Sequence, residues 1–212
     1  MKLFLASYRF GAHADEFISL TSGPGRVAVI ANAADSWPEA ARLSAVTSEL
    51  RGLRELGYDP MELDLRDFAG RKDELEAELD SVETVWLRGG NTFVLRSRLH
   101  QSGADEALAS RVRDGSLVFA GYSAGACVAS ASLRGIEAAD DPAEATPTTG
   151  ESPLWTGLGL VDVSFVPHFR SILDENDVGE AMVERYRRDG VEHLTLTDDQ
   201  VYVVDGDRRG RI

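Results

Sequence analysis

Short β-rich runs alternate with amphipathic stretches along most of this 212-residue chain, and that rhythm admits few architectures. Residues 2–8, 26–31, 61–65, 84–87, 117–122 and 161–166 read as strands. Residues 38–56 read as the clearest helix: Ser36 and Glu39 have capping-box spacing, Pro38 suits a first turn, and Gly57 supplies the stop. Its Ala41, Ala45, Leu50, Leu53 and Leu56 can share a broad apolar face. Residues 71–79, 92–99, 104–113 and 175–188 read as further helices. A parallel pair of strands needs such a crossover, so the expected fold is α/β, with a mostly parallel sheet covered on both faces. Residues 193–197 and 200–204 are two more β-rich runs, divided by a turn at Asp198-Asp199. Residues 138–157, rich in Asp, Pro, Thr and Gly, form the one long irregular stretch, and so long a loop in a compact domain is usually functional or mobile. No repeat or linker interrupts the pattern, and the length suits a single domain over 1–212.

Charge narrows the function. Lys plus Arg number 22 against 36 for Asp plus Glu, a net charge of −14, so no basic surface exists to neutralise a phosphate backbone or an anionic bilayer. Nucleic-acid and membrane partners are not expected. The longest apolar runs are strand-sized, and Met1-Lys2-Leu3-Phe4-Leu5 turns polar too early for a signal-peptide core, which points to the cytoplasm. One cysteine, Cys127, excludes an internal disulfide framework and a multi-cysteine zinc site, and among small neighbours it reads as core. The acidic run Asp73-Glu74-Leu75-Glu76-Ala77-Glu78 reads as a solvated helix face, so neither a metal nor a cofactor is expected.

Gly121-Tyr122-Ser123-Ala124-Gly125 lies between an apolar run and a small-residue stretch, the strand-turn-helix setting of a G-x-S-x-G nucleophile elbow. Such a turn projects the Ser123 hydroxyl above the sheet at a helix N-terminus, and the Ala124 N–H points where an oxyanion would form. Arg88-Gly89-Gly90-Asn91-Thr92 also joins a strand to a helix. Gly89 or Gly90 can supply a second donor there, while Asn91 or Thr92 caps the helix. A serine nucleophile needs a general base, and of the four histidines His168, in Pro167-His168-Phe169 at a strand end, is better placed than His13, His100 or His193. The base in turn needs a carboxylate on its other nitrogen. Asp198 is the candidate, Asp199 its direct rival, and Asp140 or Asp141 in the long loop are further options.

Together these residues resemble the peptidase E (α-aspartyl dipeptidase) family of serine peptidases, whose wider relatives include cyanophycinase. The resemblance spans nearly the whole chain and rests on Gly-Gly-Asn-Thr-Phe at Gly89 to Phe93, Gly-Tyr-Ser-Ala-Gly-Ala at Gly121 to Ala126, and Pro-His-Phe at Pro167 to Phe169. It implies a three-layer α/β sandwich akin to class I glutamine amidotransferases, with Ser123 as nucleophile, His168 as base and the Gly89 and Ala124 amides as oxyanion hole. Matching also puts Asp198 where the aspartyl-specific members carry a Glu. The implied substrate is a short peptide and the implied assembly a monomer or homodimer. Gly90, Asn91, Asp140, Asp141 and Met182 are the candidate substrate-binding residues, with Asp140 or Asp141 receiving the free α-amine. Aspartyl-specific members carry Gly-Glu-Thr-Arg after the histidine motif, whereas this chain reads Gly179-Glu180-Ala181-Met182. Met182 cannot pair with a carboxylate, and of Arg170, Arg185 and Arg187 only Arg170 lies beside the histidine, so strict preference for N-terminal Asp is expected to be lost. Two other readings compete: an α/β-hydrolase esterase using Ser123, Asp162 and His193, and a catalytically idle binding protein on the same fold.

Overall fold

The apolar runs at 2–6, 26–30, 84–87 and 118–122 become neighbouring strands because each is flanked by helices long enough to return the chain to the same sheet edge. The computed structural model describes residues 1–174 and 177–212. In it β1 (Lys2–Ala6), β2 (Arg26–Ile30), β3 (Asp59–Glu62), β4 (Thr84–Leu87) and β5 (Val118–Tyr122) pair in parallel. β6 (Ser164–Val166) and β7 (His193–Thr195) form a separate two-stranded parallel ribbon. β8 (Val201–Asp205) runs antiparallel to β1, and β9 (Arg208–Arg211) antiparallel to β8, giving the central order β3-β2-β4-β5-β1-β8-β9.

Strand alternation sorts the core into two layers. Leu3, Leu5, Val85, Leu87 and Phe119 face one side of the sheet, and Phe4, Ala6, Trp86, Ala120 and Tyr122 face the other. The second side is covered by α1 (Ala14–Leu20), through Phe17 and Leu20, and α2 (Glu39–Glu55), through Leu53. The first side receives α3 (Lys72–Leu79), α4 (Thr92–Ser102), α5 (Ala104–Asp114), α6 (Ala124–Cys127), α7 (Ala145–Thr149) and α8 (Val178–Asp189). The result is the expected three-layer α/β sandwich with a mostly parallel sheet.

Several local expectations give way. The run at 161–166 stays out of the central sheet: only 164–166 form a strand, and they pair with β7, while Val161 makes an isolated bridge to Ser130. β3 begins two residues early and stops at Glu62, because Leu65 opens a 3-10 turn capped by Asp64. The capping box does not form. Pro38 is the N-cap of α2, and the Ser36 hydroxyl donates to Glu144 at 2.7 Å instead. On α2 the buried stripe includes Arg42 and Glu49, while Ala41 is exposed, so the inward face is charged in two places. The long irregular stretch contains a 3-10 turn and α7. Neither α1 nor β9 is visible as an amphipathic run, and the expected helix start at Glu175 lies outside the described residues. Among the described residues no helix is long and apolar enough to cross a membrane.

Backbone packing at the elbow leaves no room for a side chain. A Cβ on Gly125 would lie 2.2 Å from the Leu87 carbonyl oxygen, a backbone atom that cannot swing aside, whereas one on Gly115 (φ +85°) would meet nothing within 4 Å. Gly115→Ala should therefore cost about 1 kcal/mol, the strain of a left-handed residue alone. Gly125→Ala should cost on the order of 3 kcal/mol or more, since it forces α6 off β4. Urea unfolding of both variants measures the difference, and equal losses would contradict the packing argument.

Candidate active site

Ser123 separates β5 from α6 and takes φ 52°, ψ −116°, a conformation an L-residue adopts only when its surroundings impose it. They do so from both sides. The Ser123 N–H donates to the Ala6 carbonyl at 3.1 Å, and the Ser123 carbonyl accepts from the Ala126 and Cys127 N–H groups at 2.9 Å each. Gly89, just past the end of β4, packs so closely that a Cβ there would sit 3.0 Å from the Ser123 Cβ. The Gly89 backbone and the first turn of α6 thus flank the Ser123 side chain.

The β6–β7 ribbon delivers the second half of the site. Phe169 N–H donates to the Leu196 carbonyl at 3.0 Å, so the segment after β6 stays in register with the segment after β7. That register brings His168 Nδ1 to 2.6 Å from Asp198 Oδ1. Ser7, fully buried beyond the end of β1, accepts from the His168 N–H at 2.7 Å and donates its hydroxyl to Asp198 Oδ1 at 3.1 Å. Ser171 Oγ accepts the Asp198 N–H at 3.0 Å. Neither serine stands out in the sequence, since residue 7 is absorbed in the apparent first strand and residue 171 in a loop.

Asp199 points elsewhere. It is exposed, accepts from the Thr197 hydroxyl, and that hydrogen bond holds its carboxyl below the usual range. Ser123, Asp162 and His193 are not brought together: Asp162 is exposed, and His193 binds the Val191 carbonyl at 2.9 Å with its ring against Tyr186. His100 sits with Asp105 on the surface, at 3.1 Å. Cys127 is buried below the elbow, and burial pushes its thiol pKa up, so it stays neutral.

Ser123, Ala124 and His168 open on one cavity of about 300 Å³, whose wall also includes Ile136, Asp140 and Met182. Asp140 accepts from the Thr92 N–H at 2.9 Å and from its hydroxyl at 2.5 Å. Burial pushes its carboxyl up to about 6, against the pull of those two hydrogen bonds. Asp141 is not in the cavity wall; its carboxylate caps the following turn through the Ala143 N–H at 2.9 Å. Asn91 proves to be the cap of α4, its Oδ1 accepting from Phe93 and Val94 N–H and its Nδ2 donating to the Asp141 carbonyl. Gly90 (φ +149°) packs against Ala33, where a Cβ would lie 2.3 Å from the carbonyl oxygen. Met182, 2% exposed, reaches the cavity from α8. Arg170 is drawn to Glu180 at 2.7 Å, Arg185 pairs with Asp189, and Arg187 is exposed. Among the described residues no Arg or Lys lines the cavity.

A family model, peptidase family S51, matches residues 12–211, and the chain belongs to that family. It is 34% identical over 168 residues to a peptidase E of Streptomyces coelicolor, covering 76% of this chain and 58% of that protein. It is 32% identical over 122 residues to an uncharacterized peptidase of Listeria innocua, covering 58% and 55%. The chain thus spans about half the length of the curated relatives it matches. The fold is shared with a crystal structure of a Listeria monocytogenes protein assigned provisionally to peptidase E, with TM-score 0.81, 23% identity, and coverage of 100% of this chain and 97% of that one. A peptidase from an acI-B1 actinobacterium superposes with TM-score 0.71 at 18% identity, covering 99% and 84%.

The environment of Asp140 carries a sign that can be measured. A carboxyl whose folded pKa lies near 6 contributes stability that is complete below its unfolded value near 4 and is lost as pH rises through 6. Asp140→Asn removes this component. The unfolding free energy of the variant relative to wild type should therefore rise by on the order of 2 kcal/mol between pH 4 and pH 7. Urea titrations at the two pH values test this; a pH-independent difference would mean that Asp140 ionises as an ordinary surface carboxyl.

Proposed function

We propose that this chain is a serine peptidase acting on short peptides, with Ser123 as nucleophile, His168 as general base, Asp198 as the acid that orients it, and the Gly89 and Ala124 N–H groups as oxyanion hole. One observation carries the reading: a histidine held by a carboxylate at 2.6 Å shares a cavity with a serine on a strained strand-helix elbow. With Nδ1–H donated to Asp198, His168 Nε2 is the accepting nitrogen. It takes the Ser123 proton as Oγ attacks the scissile carbonyl, and the oxygen that becomes negative lies toward the two N–H donors. Collapse of that intermediate breaks the C–N bond, and His168 returns the proton to the departing amine. Water then repeats the sequence on the acyl-enzyme. No step calls for a metal.

Asp140 is the partner we assign to the substrate α-ammonium, as the carboxylate in the cavity wall whose hydrogen bonds, both from Thr92, fall on Oδ2 alone. Its pKa near 6 implies that substrate affinity improves as pH rises through that value. Asp174, the other carboxylate there, is occupied by the Gly179 and Arg170 N–H groups. With Met182 at the position of the family arginine and no cation in the wall, a substrate aspartate side chain gains no partner, so neutral and apolar N-terminal residues should be accepted at least as well. We further propose one catalytic domain over 1–212, working in the cytoplasm as monomer or homodimer, without nucleic-acid or membrane partners, in line with a net charge of −14.

Ser123→Ala and His168→Ala should each lower kcat by orders of magnitude without unfolding the protein, while Asp198→Asn should cost up to about 10⁴-fold, the serine-protease precedent. Asp199→Asn should leave kcat near wild type; the reverse pattern would transfer the acid role to Asp199. A dipeptide panel varying the N-terminal residue, with Ser123→Ala as blank, reads specificity, and N-acetylation of the best substrate should sharply reduce turnover. Cleavage of Asp-Xaa more than about a hundredfold faster than Leu-Xaa, a difference of about 2.7 kcal/mol, would require a cationic partner and overturn the specificity reading.

A further inference from the structure

Glu49 lies at the centre of α2, 3% exposed, in the layer beneath the sheet on the side opposite α6. Burying a carboxylate is expensive, and a leucine would fill this layer without that cost. What the carboxylate holds is informative. Glu49 Oε1 accepts from the Tyr122 hydroxyl at 2.7 Å and lies 3.5 Å from Arg88 Nε; Oε2 accepts from Trp86 Nε1 at 3.0 Å. Tyr122 immediately precedes Ser123, and Arg88 immediately precedes Gly89. Arg88 also donates from Nη1 to the Gly89 carbonyl at 2.5 Å and lies over the Trp37 ring at 4.7 Å. The Tyr122 ring fills the space against Gly89, where an added Cβ would meet it at 3.0 Å.

The geometry points to Glu49 as a positioning residue for the oxyanion hole: one buried carboxylate holds the residue before Ser123 by a hydrogen bond and the residue before Gly89 by charge, without a hydrogen bond to Arg88 Nε, and so fixes the separation of the two N–H donors. This rests on the assignment of Ser123 as nucleophile and of Gly89 and Ala124 as the hole. Glu49 does not touch the cavity, so it acts on the transition state through Tyr122 and Arg88. A small change in donor separation weakens stabilisation of the developing oxyanion while leaving ground-state contacts in the cavity as they are. Loss of the tie should then appear in kcat and hardly in KM.

The test uses Glu49→Gln, which keeps size and shape, Tyr122→Phe, which removes one hydroxyl, and the double variant, each assayed well below its own melting temperature. The probes are the best dipeptide of the panel and a fluorophosphonate that labels Ser123. Glu49→Gln should lower kcat about tenfold or more with KM within threefold, and fluorophosphonate labelling should slow in proportion. Tyr122→Phe should lower kcat about fivefold, and the double variant should be no worse than Glu49→Gln alone by more than twofold, because both break the same tie. A merely structural role predicts lowered stability with kcat intact, and that result, or fully additive losses, would overturn the inference. Should Glu49→Gln fail to fold, Tyr122→Phe decides by the same kcat and KM criterion. Wild-type turnover that survives Ser123→Ala would overturn the nucleophile assignment and this inference together, whereas Ser123-dependent turnover undiminished in Glu49→Gln overturns this inference alone.

Discussion

The contact between the elbow and the end of β4 governs the rest of the molecule. Gly121 and Gly125 both approach the Leu87 carbonyl oxygen, at hypothetical Cβ distances of 2.8 and 2.2 Å, so the turn that carries Ser123 is pressed backbone to backbone onto the neighbouring strand. Close approach of this kind converts the ladder between β4 and β5 into a ruler. Leu87 pairs with Gly121, Gly89 follows two residues later, and its backbone is thereby brought beside Ser123. No side chain could be inserted at 121 or 125 without separating the strands, and one at 89 would press on the Tyr122 ring and the Ser123 Cβ. The strained φ of Ser123 is a consequence of the same contact, because the chain must reverse direction within one residue to start α6 without leaving Leu87.

A strongly acidic chain must keep its own carboxylates from compromising the interior, and it does so with arginine. Asp35, almost wholly buried, is paired with Arg42 and Arg98, both at 2.9 Å, and Arg42 also reaches Glu62 and Asp64. Glu49 is matched by Arg88 and by two neutral donors. Asp140 differs, since it has hydrogen bonds from Thr92 but no cation, and its pKa rises accordingly. A cavity-wall carboxyl without a cation, its pKa raised by burial, stands to gain from a positively charged ligand. The arginines that could have served it are committed elsewhere: Arg98 to Asp35 and the Thr148 carbonyl, Arg170 to Glu180.

What the sequence makes legible is whatever is local. The strand-helix alternation, the elbow and the Gly89 turn are contiguous segments whose residue types dictate backbone shape, and each folds as its pattern requires. Contacts made across the chain are invisible to periodicity. Ser36 has the spacing of a cap, yet Glu144, 108 residues away, takes its hydroxyl. Residues 161–166 and 193–197 look like further sheet strands, but the ribbon they form is decided by the pairing of Ser164 with His193. Arg42 and Glu49 fall on the inward face of α2, where an apolar pattern was expected, since their partners on β3, β4 and β5 lie far off in sequence. A charged residue four positions from Ala45 and from Leu53 is the signal that could have drawn attention to Glu49.

The separateness of the ribbon explains the role of a residue as modest as Ser7. Ser123 is fixed by the central sheet, whereas His168 and Asp198 follow the strands of a small parallel pair outside it; the central ladder approaches them only on the Asp198 side, where Ser7 N–H donates to the Gln200 carbonyl at 3.2 Å just before β8. The bridge is made at β1, the strand adjoining β5: the Ser7 hydroxyl accepts from the His168 backbone and donates to the Asp198 carboxylate. Both functions of one hydroxyl are used, and both are buried, so alanine at 7 would leave an amide without its acceptor and take one donor from the carboxylate. Through this joint the ribbon is referenced to β1, β1 to β5, and β5 to the elbow, where the Ser123 N–H is itself bonded to Ala6, the residue beside Ser7. Two consecutive residues at the end of one strand thus hold both halves of the site, which is how a histidine carried by a three-residue strand can be kept in register with a serine on another sheet.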